Sequence, residues 1–314
     1  MSLDVVLVGH IVIDTVVRGR RRWQSLGGTV VYGAFAALRS EARPLILSKV
    51  GEDFPDEYFL FLSRSGIDLT HVRVARGSRT TRFKLTYRNG ERELVLQSRA
   101  DDITAYDVGL AELGGKVAIV GPVIGEVGLD ALEAVRSKAS LVALDLQGFL
   151  RVAEVRGSVK LVRSEKAMRA LAYADVVHAD ADEAAVLTGM QPPEAAVWIA
   201  QRGPRVALVT VGHRGAYVAT RDELIYVPSF EPSQVVDTTG AGDVFLTVFT
   251  AEHARGASVE EAAAMAAAAS SFRVEGQGFE GLRERWLVRG RAQKILANIQ
   301  RLEKAEAAQP PRQG

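Results

Sequence analysis

Seven consecutive residues carry the sharpest chemical signal in this chain. Asp237-Thr238-Thr239-Gly240-Ala241-Gly242-Asp243 sets an acid, two hydroxyls, a glycine-rich turn and a second acid directly before a stretch of helical spacing. The free N–H groups of a helix opening, with the macrodipole behind them, form an anion site. Glycine keeps side chains out of such a site and allows the backbone angles it needs. Asp243 falls in the first helical turn, where a carboxylate has two readings. It caps the helix and complements its dipole, or it stands beside a bound phosphoryl group and takes the proton of an attacking hydroxyl.

Other chemistries find little support. The chain has no cysteine, which excludes disulfides, thiolate zinc sites, iron–sulfur clusters and a cysteine nucleophile. The five histidines, His10, His71, His178, His213 and His253, show no metal-ligand spacing and read as structural residues. His10 and His178 also stand at strand ends, the edge of an α/β sheet where ligands bind. There is no Walker A loop, no Gly-x-Ser-x-Gly and no G-x-G-x-x-G after the first strand. Lys and Arg number 39 against 38 Asp and Glu, a net charge of +1, so no global field draws the protein to nucleic acid or an acidic membrane. The Arg18–Arg22 cluster reads as a solvated loop. Of the 314 residues, 47% are apolar and 25% charged, the balance of a folded globular chain. No apolar run approaches the roughly 20 residues that span a bilayer, and the N-terminus carries no secretory signal. These readings predict a cytoplasmic protein with neither nucleic-acid nor membrane partners. Asn89 and Asn298 are the only asparagines and arginine is frequent, a composition that leans towards a heat-adapted source.

The elements that must hold the turn alternate in type. Val5–Val8 is a continuous apolar run, as in a parallel strand covered on both faces. A helix is predicted from Thr29 to about Leu38, a strand over Leu45–Val50, and a helix over Pro55–Arg64 with proline in its first turn. Between Arg79 and Arg99 the pattern changes. Thr81, Phe83, Leu85 and Tyr87 alternate with polar residues, Asn89-Gly90 supplies a tight turn, and Leu94 and Leu96 alternate again. That is a hairpin covered on one side, a flap on the main body. From Val117 onward, short apolar runs at 117–120, 141–144, 176–178 and 206–211 alternate with helical segments at 128–136, 164–172, 181–187 and 193–202. This rhythm predicts an α/β fold with a largely parallel sheet. Short strands near 216–219 and 224–227 follow, then helices over 241–255, 259–272 and 284–305.

The Asp237–Asp243 turn, followed by Val-Phe-Leu and an alanine-rich helix, closely resembles the second signature of the ribokinase-like, or phosphofructokinase-B, carbohydrate kinases. Other segments resemble the same family in the right order, from about residue 4 to 280. They are Asp14, Gly27-Gly28, Lys49-Val50-Gly51-Glu52-Asp53 with Gly66-Ile67-Asp68, the 79–99 hairpin, and Thr210-Val211-Gly212-His213-Arg214-Gly215. The resemblance implies a three-layer fold with a largely parallel central sheet flanked by helices and a small β-hairpin lid. It also implies a single kinase domain over residues 1–306, a lid formed by about 11–26 and 78–100, and a flexible tail at 307–314. By the same resemblance Asp243 is the general base and Gly240, Ala241 and Gly242 the anion hole. Asp14, Gly27 and Gly28 hold the acceptor's hydroxyls, and Thr210, Gly212, Gly215 and Thr239 the nucleotide. ATP is the phosphoryl donor and Mg2+ the cofactor.

One segment departs from the family pattern. Where Asn-x-x-Glu is usual, this chain has Asp180-Ala181-Asp182-Glu183. Glu183 and Asp180 are the implied magnesium residues, since an added carboxylate favours a hard cation; equally, Asp180 is a good helix cap. Ala143–Arg151 with His178-Ala179-Asp180 is most similar to the archaeal myo-inositol kinases. In that segment Gln147 either reads an acceptor hydroxyl, as donor and acceptor together, or satisfies backbone groups. The expected function is an ATP-dependent kinase of a small polyol or sugar, with myo-inositol first. Nucleoside, ribose or sugar-acid kinases of the same family stand as alternatives, and a non-catalytic sensor as an alternative of another class. Either a monomer or a homodimer fits.

Overall fold

Val5, Val6, Leu7 and Val8 are fully buried, and they alternate between two cores. Val5 and Leu7 pack with the helices at 29–39, 241–254 and 259–273. Val6 and Val8 pack with those at 129–138, 181–188 and 192–200. A strand covered on both faces requires this, and it makes the molecule three layers deep. The computed structural model describes residues 3–88 and 91–304.

In chain order the strands are β1 (Leu3–Val8), β2 (Val12–Arg18), β3 (Arg21–Gly27), β4 (Ala42–Gly51), β5 (Asp68–Ala75), β6 (Thr81–Arg88), β7 (Glu91–Ser98) and β8 (Val117–Val120). They continue as β9 (Leu141–Asp145), β10 (Arg151–Ala153), β11 (Val159–Leu161), β12 (Val176–Asp180), β13 (Val206–Thr210), β14 (Ala216–Thr220), β15 (Leu224–Val227) and β16 (Gln300–Leu302). The central sheet has ten strands in the order β16-β15-β14-β13-β12-β9-β8-β1-β4-β5. The seven from β13 to β5 pair in parallel, and β14, β15 and β16 add an antiparallel margin. The chain leaves β1 for β4 on one side and returns to β8 on the other. That reversal opens a crevice at the carboxyl ends of the strands, the end at which Asp145, Asp180 and Thr210 stand.

A second sheet, β3-β2-β6-β7, rises from this edge. It contains the expected one-sided hairpin, β6 and β7, and two further strands beside it. The Arg18–Arg22 segment is therefore not a loop. Pairing between β2 and β3 continues to Arg18↔Arg21, so only Gly19 and Arg20 turn, with Gly19 at φ +60°. The Asn89-Gly90 turn lies outside the described residues, as does the tail at 307–314.

The last helix is shorter than its spacing predicts. It spans Arg285–Leu296, not 284–305. The Asn298 side chain donates to the Lys294 carbonyl, and the chain then pairs with β15 as β16, where main-chain hydrogen bonds are available. Among the described residues, no helix is long and apolar enough to cross a membrane.

Candidate active site

The Asp237–Asp243 turn opens the helix Ala241–Ala254 just beyond the sheet edge. Gly240 is the N-cap, at φ +79°, with no side chain closing the helix end. That positive φ, and a Tyr32 ring that a Cβ on Gly240 would overlap, leave glycine as the residue that fits. Asp237 ties the turn down. It accepts from the Thr239 amide at 3.0 Å and from Arg273 Nη2 at 2.8 Å. Arg273 is fully buried, lies 5.0 Å over the Tyr32 ring, and also donates to the Asp237 and Gly276 carbonyls. The motif's first acid thus serves the backbone, and its last is left for chemistry.

Asp243 stands at the junction of two cavities and lines both. Burial, and then the nearby charge of Asp145, push its carboxyl up to about 6. A hydrogen bond from Thr29 pulls the other way. Thr29 Oγ1 in turn accepts from Gln147 Nε2 at 2.6 Å, and the Gln147 amide donates to Asp145 Oδ1 at 2.8 Å. Gln147 gives one of its two side-chain N–H groups to Thr29 and also lines both cavities. A carboxylate poised near neutrality, oriented by a relay of two polar side chains, is suited to general-base work.

The larger of these two cavities, about 420 Å3, lies over the parallel strands' carboxyl ends. Thr210, Gly212, Thr239, Gly240, Ala241 and Gly242 line it, with Arg151 and Arg214 supplying positive charge, Asp145, Asp180 and Asp182 negative charge, and Glu183 beside them. His178 lies in the wall. Its Nδ1 bonds Asp145 at 2.8 Å and its Nε2 bonds Thr210 at 3.1 Å. Burial disfavours its charge, but Asp145 outweighs this and raises its pKa. Gly215 does not reach the cavity; it holds a turn at φ +92°, with its Cα against the Val227 carbonyl. His10 is buried and bound to the Asp101 carbonyl and Thr81 Oγ1, so its role is structural.

Asp180 and Glu183 form a reciprocal capping box at the helix Ala181–Thr188. Asp180 Oδ1 accepts from the Glu183 amide at 2.8 Å, and Glu183 Oε2 from the Asp180 amide at 3.0 Å. Burial, with Asp145 and Asp180 nearby, pushes Glu183 up to about 8. Among the described residues, no three His, Cys, Asp or Glu side chains converge to hold a metal on their own. Magnesium is usually held by one or two carboxylates together with substrate phosphates. The donor set of Asp180 and Glu183 at the cavity wall fits that pattern.

The smaller cavity, about 90 Å3, lies under the second sheet. Asp14, Gly28, Thr29, Tyr32 and Phe83 line it, with Gln147, Arg151, Thr239, Gly240 and Asp243 shared with the larger cavity. Gly27 makes room for Asp14, whose carboxylate occupies the space a Cβ would take. A third cavity, about 710 Å3, continues outward from Asp14, Tyr32 and Thr239.

Three residues at this site escape a reading of motifs. Thr29, just after the diglycine, reads in sequence only as a helix cap. Arg151 ends the Gln147–Arg151 segment and touches both sides of Asp243. Its nearest carboxylate is Glu183 at 3.8 Å. Arg273 is 36 residues from its partner Asp237, and no local pattern joins them.

Comparison with known proteins finds relatives along most of the chain. The profile of the pfkB family carbohydrate kinase matches residues 2–282. A cytidine kinase of Thermococcus kodakarensis is 27% identical over 265 residues, 82% of this chain and 91% of that one. An inositol 3-kinase of Arabidopsis thaliana is 28% identical over 86% of this chain and 74% of its own. Among solved structures, a pyrophosphate-dependent kinase in the ribokinase family, complexed with a pyrophosphate analog and myo-inositol, superposes with a TM-score of 0.78. It is 27% identical and covers 93% of this chain and 100% of its own.

Proposed function

Given that the chain belongs to the pfkB family of carbohydrate kinases and has the ribokinase fold, we propose that it moves a phosphoryl group from a donor over the Gly240–Gly242 turn to an acceptor hydroxyl beside Asp243. The observation that carries this reading is the position of Asp243. It is the one acid in the wall between a cavity of main-chain amides and arginines and a cavity holding Asp14. The acceptor hydroxyl approaches from the Asp14 side and gives its proton to the Asp243 carboxylate. Its oxygen bonds to the transferred phosphorus as the donor's bridging P–O bond breaks. The amides at the helix opening and the Arg151 guanidinium take up the charge that builds on the phosphoryl oxygens. Asp180 and Glu183 are the residues that would hold magnesium, which would supply further charge neutralisation. The second sheet acts as a lid that keeps water, a competing acceptor, from the transferred group.

ATP is the donor that the family resemblance implies, with the nucleotide over Thr210, Gly212 and Thr239. A second reading, an inorganic pyrophosphate donor, rests on the donor cavity itself. Apart from Gln147 and Val211 its lining is charged or small, and among the described residues His178 is the only aromatic ring in it, so it offers polyanion contacts and little stacking surface for a base. The pyrophosphate-dependent neighbour supports this reading. For the acceptor, the sub-family resemblance and the inositol kinases support myo-inositol, and the cytidine kinase supports a nucleoside.

The test is Asp243→Asn, assayed with ATP and with pyrophosphate. The variant should fold and bind donor while turnover falls by roughly 10²–10⁴-fold, the usual worth of a positioned base. Turnover near that of the wild type removes Asp243 from the reaction.

A further inference from the structure

The small cavity beside Asp243 opens through Asp14, Tyr32 and Thr239 into an adjoining space of about 710 Å3. An acceptor held at Asp14 therefore has room to extend outward along the second sheet. The register of the second sheet sorts that space into three levels. Ser25, Asp14 and Phe83 are directly paired across β3, β2 and β6 and form the innermost level. Trp23, Val16 and Leu85 form the next. Arg21, Arg18 and Tyr87 form the outermost. Residues opposite each other share a face, and eight of these nine line the large cavity, Phe83 lining the small one. At about 3.3 Å per residue, the apolar level lies about 7 Å beyond Asp14 and the cationic level about 13 Å.

The outer arginines are available to a ligand. Arg18 lies 5.0 Å over the Tyr87 ring. Among the described residues, Arg18, Arg20, Arg21 and Arg22 form no ion pair. The other basic residues of this sheet are differently placed. Arg82 and Lys84 alternate with Phe83 and Leu85 onto the opposite face, and Arg82 is paired with Asp53 at 3.1 Å. From the body, Tyr32, Val236 and Gln277 close the other wall of the cavity.

We infer that the acceptor is a nucleoside, with its ribose at Asp14, its base at the level of Trp23, Val16 and Leu85, and the base's carbonyl and ring-nitrogen acceptors towards Arg18 and Arg21. The inference rests on the phosphoryl-transfer reading and names its acceptor class. A bare cyclitol ends at the level of Asp14 and leaves the aromatic level unused. A sugar phosphate sets its phosphate, about one ring beyond Asp14, against Val16 and Leu85, where burial of charge is costly. A flat, weakly polar base suits that level through stacking and apolar contact, and its acceptor edge suits guanidinium donors.

The test compares cytidine, uridine, adenosine, ribose, fructose 6-phosphate and myo-inositol as acceptors for the wild type, Trp23→Ala and Arg18→Gln. Nucleoside binding to the Asp243→Asn protein is measured alongside by calorimetry. At least one nucleoside should exceed ribose and myo-inositol in kcat/KM by roughly tenfold or more, the worth of one stacked base. Trp23→Ala should shrink that ratio by a similar factor, and Arg18→Gln should change the ranking among bases. Lys84→Gln, on the opposite face, serves as the control for the sheet. Equal or better use of ribose, myo-inositol or fructose 6-phosphate overturns the nucleoside inference and leaves phosphoryl transfer intact, as does a Trp23→Ala effect that is the same for every acceptor. Nucleoside binding with no turnover of any acceptor from either donor overturns phosphoryl transfer instead.

Discussion

The two sides of Asp243 are built in different ways. The donor side is made from short contiguous segments, 178–183, 210–214 and 238–243, each at the carboxyl end of a strand or the opening of a helix. Its main contacts are backbone amides and charged groups, so local geometry nearly completes it. The acceptor side draws residues from many elements: Val12 and Asp14 from β2, Phe83 from β6, Thr29 and Tyr32 from the helix Thr29–Arg39, and Gln147, shared with the donor side, from the short helix Gln147–Leu150. Its shape depends on how a second sheet stands over the first. Phosphate is the same in every donor, so a backbone cradle serves it whatever side chains surround it. Acceptors differ, and the side that must discriminate uses side chains on a separate sheet that can vary without disturbing the cradle.

That division of labour makes the two sides separable by mutation. After loss of the Asp243 base, the largest effect should come from Arg151, which belongs to both sides. Arg151→Met should lower kcat by roughly 10²–10³-fold, the scale for losing one transition-state donor, and shift KM for donor and acceptor much less. An increase confined to acceptor KM would reassign Arg151 to acceptor binding. Next is Asp14→Ala, which should raise acceptor KM roughly ten- to hundredfold by removing a charged hydrogen-bond partner, with a smaller change in donor KM. Equal changes in both would end the claim that the sides are separable.

The smallest effect is expected from Thr29→Val, and it sharpens the role of the relay. In the proposed reaction Asp243 acts as a carboxylate, and its pKa is raised to about 6. Activity should therefore rise with pH through that region and level off above it. The Thr29 hydrogen bond stabilises the charged form, so Thr29→Val should move the midpoint upward and reduce activity roughly tenfold below pH 6. Steady-state kinetics from pH 5 to 8 would read this. An unmoved midpoint would place the Thr29 bond outside the base's environment.

Several elements were legible without coordinates because they are local. The buried run at Val5–Val8, the Gly240 turn, the helices after 241 and 259, and the alternation in β6 are all set by neighbours in the chain. The Arg18–Arg22 segment misled because four arginines and a glycine look like a loop, whereas strand pairing with β3 carries β2 as far as Arg18. The segment after Leu296 misled because helical spacing continues past the point where an edge strand becomes available.

The sequence alone determined the turn proposed as the reacting centre: an acid at a glycine-opened helix start is a short-range pattern, set by backbone angles over seven residues. Only tertiary structure decided what surrounds it. The Thr29–Gln147 bond spans 118 residues and the Arg273–Asp237 pair 36, and the levels of the acceptor channel exist only once three strands are in register. Contacts of that range depend on how sheets and helices pack, which no local pattern encodes.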